Sequence, residues 1–234
     1  MGGKFGDILK TSVRDYLNNF IIVIPALVLW VIILLGAAIS GKITNSGCSF
    51  YLIVAWMISF TIVIVFIMSL IFSGMICMAK GIALRRKEKF FKDGKKFALR
   101  NFLIMIIMMA VAALITAIGY YGVFYLGKFF VWEVGLAKTI LVLFYIIGIL
   151  GIEIFFMLSL FTSTIYNIGV WGALKKSFMA VKGSYIAVLV IFIILNALFY
   201  LTGKINEIAG GLIEYLILIP FTVILLTRFL LDKR

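Results

Sequence analysis

The feature that most constrains this chain is a series of six long apolar stretches separated by short polar segments. A hydrocarbon core of about 30 Å is crossed by roughly 20 helical residues, and each stretch provides close to that number. The expected spans are 20–39, one helix within 52–78, one within 102–126, one near 140–160, 185–201 and 208–227. The pattern predicts an all-α polytopic integral membrane protein with six transmembrane helices, built as a single membrane domain over residues 1–234.

Lysine and arginine alternate in number from one polar segment to the next. The seven segments around the spans carry 3, 1, 9, 2, 3, 1 and 3 of these residues, which accounts for all 22 in the chain. Segments rich in Lys and Arg tend to remain on the cytoplasmic side when a membrane protein inserts. The alternation therefore predicts a multi-pass protein of the cell membrane with both termini in the cytoplasm.

The net charge of +13 would by itself be compatible with nucleic-acid binding. Here, however, only 13% of the residues are charged while 65% are hydrophobic, and the cations lie on short segments beside apolar spans. Cations at such positions are topology signals. We therefore expect the lipid bilayer, and not nucleic acid, to be the main partner of the chain.

Residues 1–19 have the pattern of a helix that lies in the membrane interface. The apolar side chains that share one helical face are Phe5, Ile8, Leu9, Val13, Tyr16, Leu17 and Phe20. The charged side chains largely off that face are Lys4, Lys10, Arg14 and Asp15. Such a helix places its cations near anionic headgroups. The alternative is an ordinary cytoplasmic extension.

Short basic segments of similar composition recur at 6–12, 94–100 and 172–178, each before a pair of apolar stretches. They divide the chain into three possible units near 1–79, 80–160 and 161–234. Each unit would consist of a basic amphipathic helix on the cytoplasmic face followed by a two-helix hairpin.

Two carboxylic acids fall inside the expected spans. Glu153 lies roughly 20 Å from the outer end of the fourth helix and Glu214 about 10 Å from the outer end of the sixth, at 1.5 Å per residue. Ionisable groups within a bilayer are candidates for a proton or cation pathway. Their different depths argue against a simple carboxylate pair. The alternative is that each is neutral, faces a wet crevice or is hydrogen-bonded to a neighbour such as Asn196.

The densest charge lies in the 79–101 connection. Its candidate contacts for an anionic lipid headgroup or an acidic partner are Arg85, Arg86, Lys87, Lys89, Lys92, Lys95 and Lys96. Anionic lipids attract such clusters beside a membrane. The alternative is that these residues act only as a topology signal, although nine cations exceed what orientation requires.

No catalytic or metal-binding pattern is present in the sequence. The chain has no histidine, which removes the commonest general base and metal ligand. The hydroxyls of Ser159, Thr162, Ser163 and Thr164 therefore lack an activating imidazole. We expect neither enzymatic activity nor a bound cofactor or metal.

Small residues and a proline mark the last span. Ala209, Gly210 and Gly211 would either break the start of this helix at a binding site or allow close packing of a neighbour. Pro220 removes one backbone donor and predicts a kink.

The segment Gly169-Val170-Trp171-Gly172-Ala173-Leu174-Lys175-Lys176-Ser177-Phe178 resembles a sequence found before a late transmembrane hairpin in known families. It is similar to the membrane domain of some glycerophosphodiester phosphodiesterases and to related archaeal membrane families of unknown function. The resemblance implies six spans and a non-enzymatic membrane module, because the soluble phosphodiesterase domain is absent from this sequence.

A second resemblance is to permease subunits of the ABC-2 type, which have an N-terminal interfacial helix, six spans and a loop after the second helix that contacts an ATPase. The 79–101 segment occupies that place, whereas 203–207 leaves little room for the re-entrant helices of such permeases. The sequence thus leaves three functions open: a membrane module for transport or membrane organisation, a permease subunit coupled to a separate ATPase, and a proton- or cation-coupled carrier that uses Glu153.

Overall fold

The computed structural model describes residues 2–45, 49–86, 90–129, 134–182 and 185–232. Every regular element within these ranges is helical. The helices are α1 (Gly2–Asn18), α2 (Val23–Thr44), α3 (Phe50–Leu84), α4 (Phe90–Phe129), α5 (Val134–Tyr166), α6 (Val170–Lys182), α7 (Tyr185–Gly203), α8 (Glu207–Ile213) and α9 (Ile219–Asp232). A 3-10 turn at Phe20–Ile22 precedes α2, and a π-helical turn at Glu214–Leu218 joins α8 to α9. The prediction of an all-helical protein is confirmed for the described part.

Several helices are long and apolar enough to cross a membrane. Among the residues described with side chains there are five such segments, Phe20–Thr44, Phe50–Leu84, Lys92–Gly119, Ile186–Gly203 and Ile208–Asp232. A sixth is obtained if Leu150–Tyr166 and Val170–Lys182, which meet at a bend of 114°, are counted as one broken span. The helix α3 is longer than the expected second span, and its roughly 50 Å length at 1.5 Å per residue exceeds a bilayer core of about 30 Å.

Polar side chains join the helices where α3, α4, α5 and α6 pack together. Asn101 of α4 donates from Nδ2 to Ser73 Oγ of α3 at 2.8 Å and to Thr164 Oγ1 of α5 at 2.9 Å. Thr162 of α5 bonds to Ser177 of α6 at 2.9 Å. All five side chains are buried. Buried polar groups are unfavourable unless paired, so these bonds select one arrangement of four helices.

Two glycines lie at a close contact between α3 and α4. A Cβ built on Gly94 of α4 would lie 2.7 Å from Cα and 2.8 Å from N of Gly74 on α3. Only hydrogen on Gly94 allows the two backbones to approach this closely. In the same region a Cβ on Gly74 would lie 2.3 Å from the ring of Phe90.

The last span shows close packing and not a broken start. Asn206 caps α8 by accepting a hydrogen bond from the Ile208 amide at 2.9 Å, and α8 continues through Gly210 and Gly211. A Cβ on Gly210 would lie 2.3 Å from the carbonyl oxygen of Thr202, and one on Gly211 would lie 2.6 Å from Trp30 Nε1. Because these glycines have no side chains, α7 and α2 can pack directly against α8.

Pro220 leaves one backbone carbonyl of the last span without an α-helical donor, and another helix supplies a hydrogen bond to it. In an α-helix the amide four residues on would bond to the Leu216 carbonyl, but that residue is Pro220 and has no N–H. The hydroxyl of Tyr16 on α1 donates to the Leu216 oxygen at 2.8 Å. Burial raises the pKa of the Tyr16 hydroxyl above its ordinary value.

The three predicted units do not begin in the same way. The helices α1 and α6 are separate from the spans that follow them, and Asn19 adopts a non-helical conformation with φ −132° and ψ 52° between α1 and the 3-10 turn. The segment 94–100, in contrast, lies inside the continuous helix α4. The expected separate amphipathic helix is thus absent from the second unit, because no glycine or proline interrupts residues 95–118. The threefold repeat itself stays a prediction.

We expect Gly94→Ala to destabilise the protein by about 1–3 kcal/mol, because the added methyl overpacks the α3–α4 contact. Reversible unfolding of the full chain in mixed micelles, followed by circular dichroism, would measure this loss. Gly151→Ala on α5 is the matched control, since a Cβ there meets no heavy atom within 4 Å. Equal losses for the two variants would contradict the proposed role of the glycine contact.

Candidate functional site

The four basic segments of the sequence meet at one end of the helical bundle. Arg100 of α4 donates to the Ile168 carbonyl and, at 3.3 Å, to Asn167 Oδ1 in the α5–α6 turn. Tyr166 at the end of α5 donates to the Leu230 carbonyl of α9 at 2.7 Å. We call this the basic end. It joins the start of α4, the α5–α6 turn and the C-terminal helix, and α1 packs on that helix as well.

An ion pair fastens α1 to α9 at the basic end. Arg228 of α9 contacts Asp15 Oδ2 of α1 through both Nε and Nη2. The side chains are only 22% and 12% exposed, respectively. The buried face of α1 therefore carries Asp15 and Ser12, while its apolar residues Leu17 and Val13 remain exposed. The sequence placed Asp15 off the apolar face but gave no indication of its partner.

A cleft of about 1050 Å³ opens beside this ion pair, between α1, the end of α3 and α9. Its charged lining consists of Arg14, Arg85, Arg86, Arg228 and Asp15. Its other lining residues include the polar Thr11, Asn18 and Asn19 and the apolar Ile21, Met78 and Ile82. Four guanidinium groups against one carboxylate leave the described charged lining with a formal charge of +3. We call this space the arginine cleft.

Arg85, which lines the cleft, has an unusual backbone conformation at the end of α3. Arg85 ends α3 in the left-handed conformation with φ 53° and ψ 40°, and the Arg86 amide bonds to the Gly81 carbonyl at 2.8 Å. This helix ending is usually occupied by glycine, because a Cβ costs about 1 kcal/mol there. Here the position is occupied by a cationic side chain instead.

The structure divides the predicted basic cluster of the 79–101 connection into two parts. Arg85 and Arg86 line the arginine cleft together with Arg14, which the sequence placed on the interfacial helix near anionic headgroups, and with Arg228, which the sequence did not single out. Lys92, Lys95 and Lys96 are exposed on the first turns of α4 and do not line that cleft. Lys87 and Lys89 lie outside the described residues. Proximity in the fold, which sequence spacing does not show, brings two of the five described cations of this cluster into the arginine cleft.

Both candidate intramembrane acids contact the same helix, α7. Asn196 of α7 donates from Nδ2 to the Glu153 carboxylate at 3.2 and 3.4 Å. Thr202 of α7 donates to Glu214 Oε1 at 2.7 Å. The Asn196 partner considered in the sequence analysis is thus present, and Glu214 has a partner that the sequence did not indicate. Each acid bonds separately to α7, which agrees with the expectation that they do not form a pair.

Three of the four hydroxyls of the fourth span, those of Ser159, Thr162 and Thr164, have hydrogen-bond partners, whereas Ser163 Oγ is buried without one among the described residues. Ser159 donates to the Phe155 carbonyl at 2.7 Å, and Thr164 donates to the Leu160 carbonyl at 3.0 Å while accepting from Asn101. Among the described residues, no group of three or more Cys, Asp or Glu side chains is placed to hold a metal ion. The arginine cleft combines four cationic side chains with an open space large enough for a ligand.

Comparison with known proteins gives no relative: no family model, curated protein or solved structure matches the chain.

We expect the Asp15–Arg228 pair to contribute a coupling free energy of more than about 1 kcal/mol, because the two charges are largely buried and doubly hydrogen-bonded. A double-mutant cycle with Asp15→Asn and Arg228→Gln, measured by unfolding in micelles, would test this. The control cycle uses Asp93 and Lys96 on α4, whose charged atoms are 3.7 Å apart with the lysine 64% exposed, and whose coupling should stay below about 0.5 kcal/mol. Similar coupling free energies for the two pairs would contradict the role of the Asp15–Arg228 pair in holding α1 against α9.

Proposed function

We propose that the protein is a non-enzymatic, six-span module of the cell membrane that organises anionic lipids around its basic end. The six spans are α2, α3, α4, α5, α7 and the combined α8–α9 segment. In this proposal α5 crosses the bilayer as one helix of 33 residues, and α6 lies near the membrane surface. Both termini then lie in the cytoplasm, on the side of the basic end.

The observation that carries the proposal is the mixture of cations and exposed apolar side chains at the basic end. Trp171 and Phe178 of α6 are 78% and 61% exposed, and Lys175 is exposed on the same helix. Leu99 is exposed on α4 one residue before Arg100. An aromatic and basic rim of this kind fits the headgroup region, where the rings contact acyl chains and the cations contact phosphates.

The direction of α6 agrees with this placement. The helix turns by 114° from the last part of α5, so that it runs across the bundle end instead of continuing along the span. The side chains that attach α6 to the bundle, Ala173, Leu174 and Ser177, are buried. Its opposite face, with Trp171 and Phe178, is left for the membrane interface.

Coupling to a separate ATPase is the second candidate function. It is favoured by the exposed Arg85 and Arg86, which stand where α3 ends at the basic end and could meet an acidic partner surface. The carrier hypothesis has less structural support, because the carboxylates of Glu153 and Glu214 already have hydrogen-bond partners on α7.

We expect the full chain in mixed vesicles to enrich phosphatidylglycerol over phosphatidylcholine in its immediate surroundings, with an enrichment that falls as salt is added. Energy transfer from a donor dye on the C-terminus to labelled lipids would measure it. The triple variant Lys92→Gln, Lys95→Gln, Lys96→Gln should reduce the enrichment severalfold, since each cation near the surface contributes about 1 kcal/mol.

The matched control for this measurement is Lys42→Gln with Lys204→Gln, which removes exposed cations from the opposite end of the bundle. That variant should keep the enrichment of the original protein. No preference for phosphatidylglycerol, or the same loss in both variants, would contradict the lipid-organising function. Capture of an ATPase by the purified protein, lost when Arg85 and Arg86 are changed to Gln, would favour the permease alternative.

The proposed orientation makes a separate prediction. A reporter fused after Arg234 should be active in the cytoplasm, whereas one inserted after Asn45, between α2 and α3, should be active outside the cell. The reverse pattern would invert the orientation and place the basic end outside.

A further inference from the structure

We propose that the arginine cleft is a stoichiometric binding site for one phosphate-bearing anion, and that the anion is the phosphate of a lipid headgroup. This inference deepens the proposed function and rests on it for the position of the basic end at the membrane surface. It differs from general attraction of anionic lipids, because it assigns one site with defined residues.

The charge of the cleft is available to a ligand. Among the described contacts, no hydrogen bond or ion pair holds the side chains of Arg14, Arg85 and Arg86, and all three are exposed. Three guanidinium groups from two separate helices therefore line the same space. Planar guanidinium groups match the oxygen atoms of a phosphate with paired hydrogen bonds.

Arg228 forms the fixed part of the cleft wall. Asp15 engages its Nε and Nη2 atoms, and a guanidinium group has five N–H donors in total. The ion pair thus holds the Arg228 head in position while leaving donors for an oxygen ligand. Asn18 adds an exposed amide at the same wall.

Arg228 also borders a second and smaller depression, whose charge differs from that of the arginine cleft. A separate depression of about 290 Å³ lies beside Thr11 and Arg228 and is lined by the acidic residues Asp7 and Asp232. Two carboxylates repel an anion there. An anion is therefore directed to the larger cleft, where Arg14, Arg85 and Arg86 lie.

The shape of the cleft favours a lipid over a free phosphate ion. Its volume of about 1050 Å³ is far larger than a single phosphate group. The apolar side chains Ile21, Met78 and Ile82 line part of it, and Ile21 lies in the turn between the surface helix α1 and the span α2. A ligand that carries both a phosphate and an apolar glycerol ester fits this combination of arginines and apolar wall.

Because Arg85 has a left-handed conformation, one substitution can remove its charge without disturbing the fold. Arg85→Gly removes the cation, but glycine is the residue that this helix ending favours, so the fold should be as stable as before or slightly more stable. Arg86→Gln removes the neighbouring cation without a change in backbone preference. Lys95→Gln, at the same end but outside the cleft lining, is the matched control.

The experiment is a titration of the purified full chain in a neutral detergent, followed by native mass spectrometry. The probes are dioctanoyl phosphatidic acid, dioctanoylglycerol, which lacks the phosphate, and inorganic phosphate. We expect one equivalent of phosphatidic acid to bind, with dioctanoylglycerol binding at least tenfold more weakly. Arg85→Gly and Arg86→Gln should each weaken phosphatidic acid about tenfold or more, whereas Lys95→Gln should change it less than about twofold.

Inorganic phosphate distinguishes the source of the anion. If millimolar phosphate does not displace the lipid, the headgroup assignment is supported; if it displaces the lipid completely, the site is one for free phosphate and the lipid assignment is overturned. Equal binding of both lipid probes, or equal effects of the arginine and Lys95 variants, would overturn the site altogether. Loss of this binding with lipid enrichment retained would refute the cleft alone, while loss of enrichment with this binding retained would refute the broader function.

Discussion

The structure depends on the requirement that polar groups within or beside a bilayer find partners inside the protein. Backbone groups meet it by forming helices, and side chains meet it by bonding between helices. Asn101 illustrates it in part: its Nδ2 group donates to both Ser73 and Thr164 and so holds α3, α4 and α5 together, whereas its Oδ1 atom is buried without a hydrogen-bond partner among the described residues. The close contact of Gly74 with Gly94 allows α3 and α4 to approach. Packing of apolar groups alone would not select this arrangement, because lipid chains are equally apolar.

The same requirement connects the surface helix α1 to the last span. Pro220 leaves the Leu216 carbonyl without an α-helical donor, and the Tyr16 hydroxyl supplies one from α1. On the buried face of the same helix, Asp15 pairs with Arg228, while Val13 and Leu17, two residues to either side of it, are exposed. The first bond attaches α1 to the π-helical turn and the second attaches it to α9, and the residues of the second bond, Asp15 and Arg228, line the arginine cleft. A change in the cleft would therefore act directly on the packing of α1 against the final helix.

The two kinds of charged group in this protein have different surroundings. Glu153 and Glu214 each bond to α7, so their hydrogen-bonding capacity is partly used in holding that helix. Arg14, Arg85 and Arg86, in contrast, point into an open space with an apolar wall. This contrast is why we assign binding to the basic end and a structural role to the intramembrane acids. The exposed aromatic residues of α6 place that end in the headgroup region of our proposal.

The sequence by itself determined the helical class and the approximate positions of the helices, because apolar length and charge distribution are local properties that a bilayer constrains strongly. It also indicated Asn196 as a partner for Glu153. It did not show that 94–100 continues into α4, nor that Thr202 would contact Glu214. Only the tertiary structure decided which cations lie together: Asp15 and Arg228 are 213 residues apart, and Arg85 joins them through the fold. Such contacts depend on how the helices pack in three dimensions. That packing cannot be deduced from the spacing of residues along the chain.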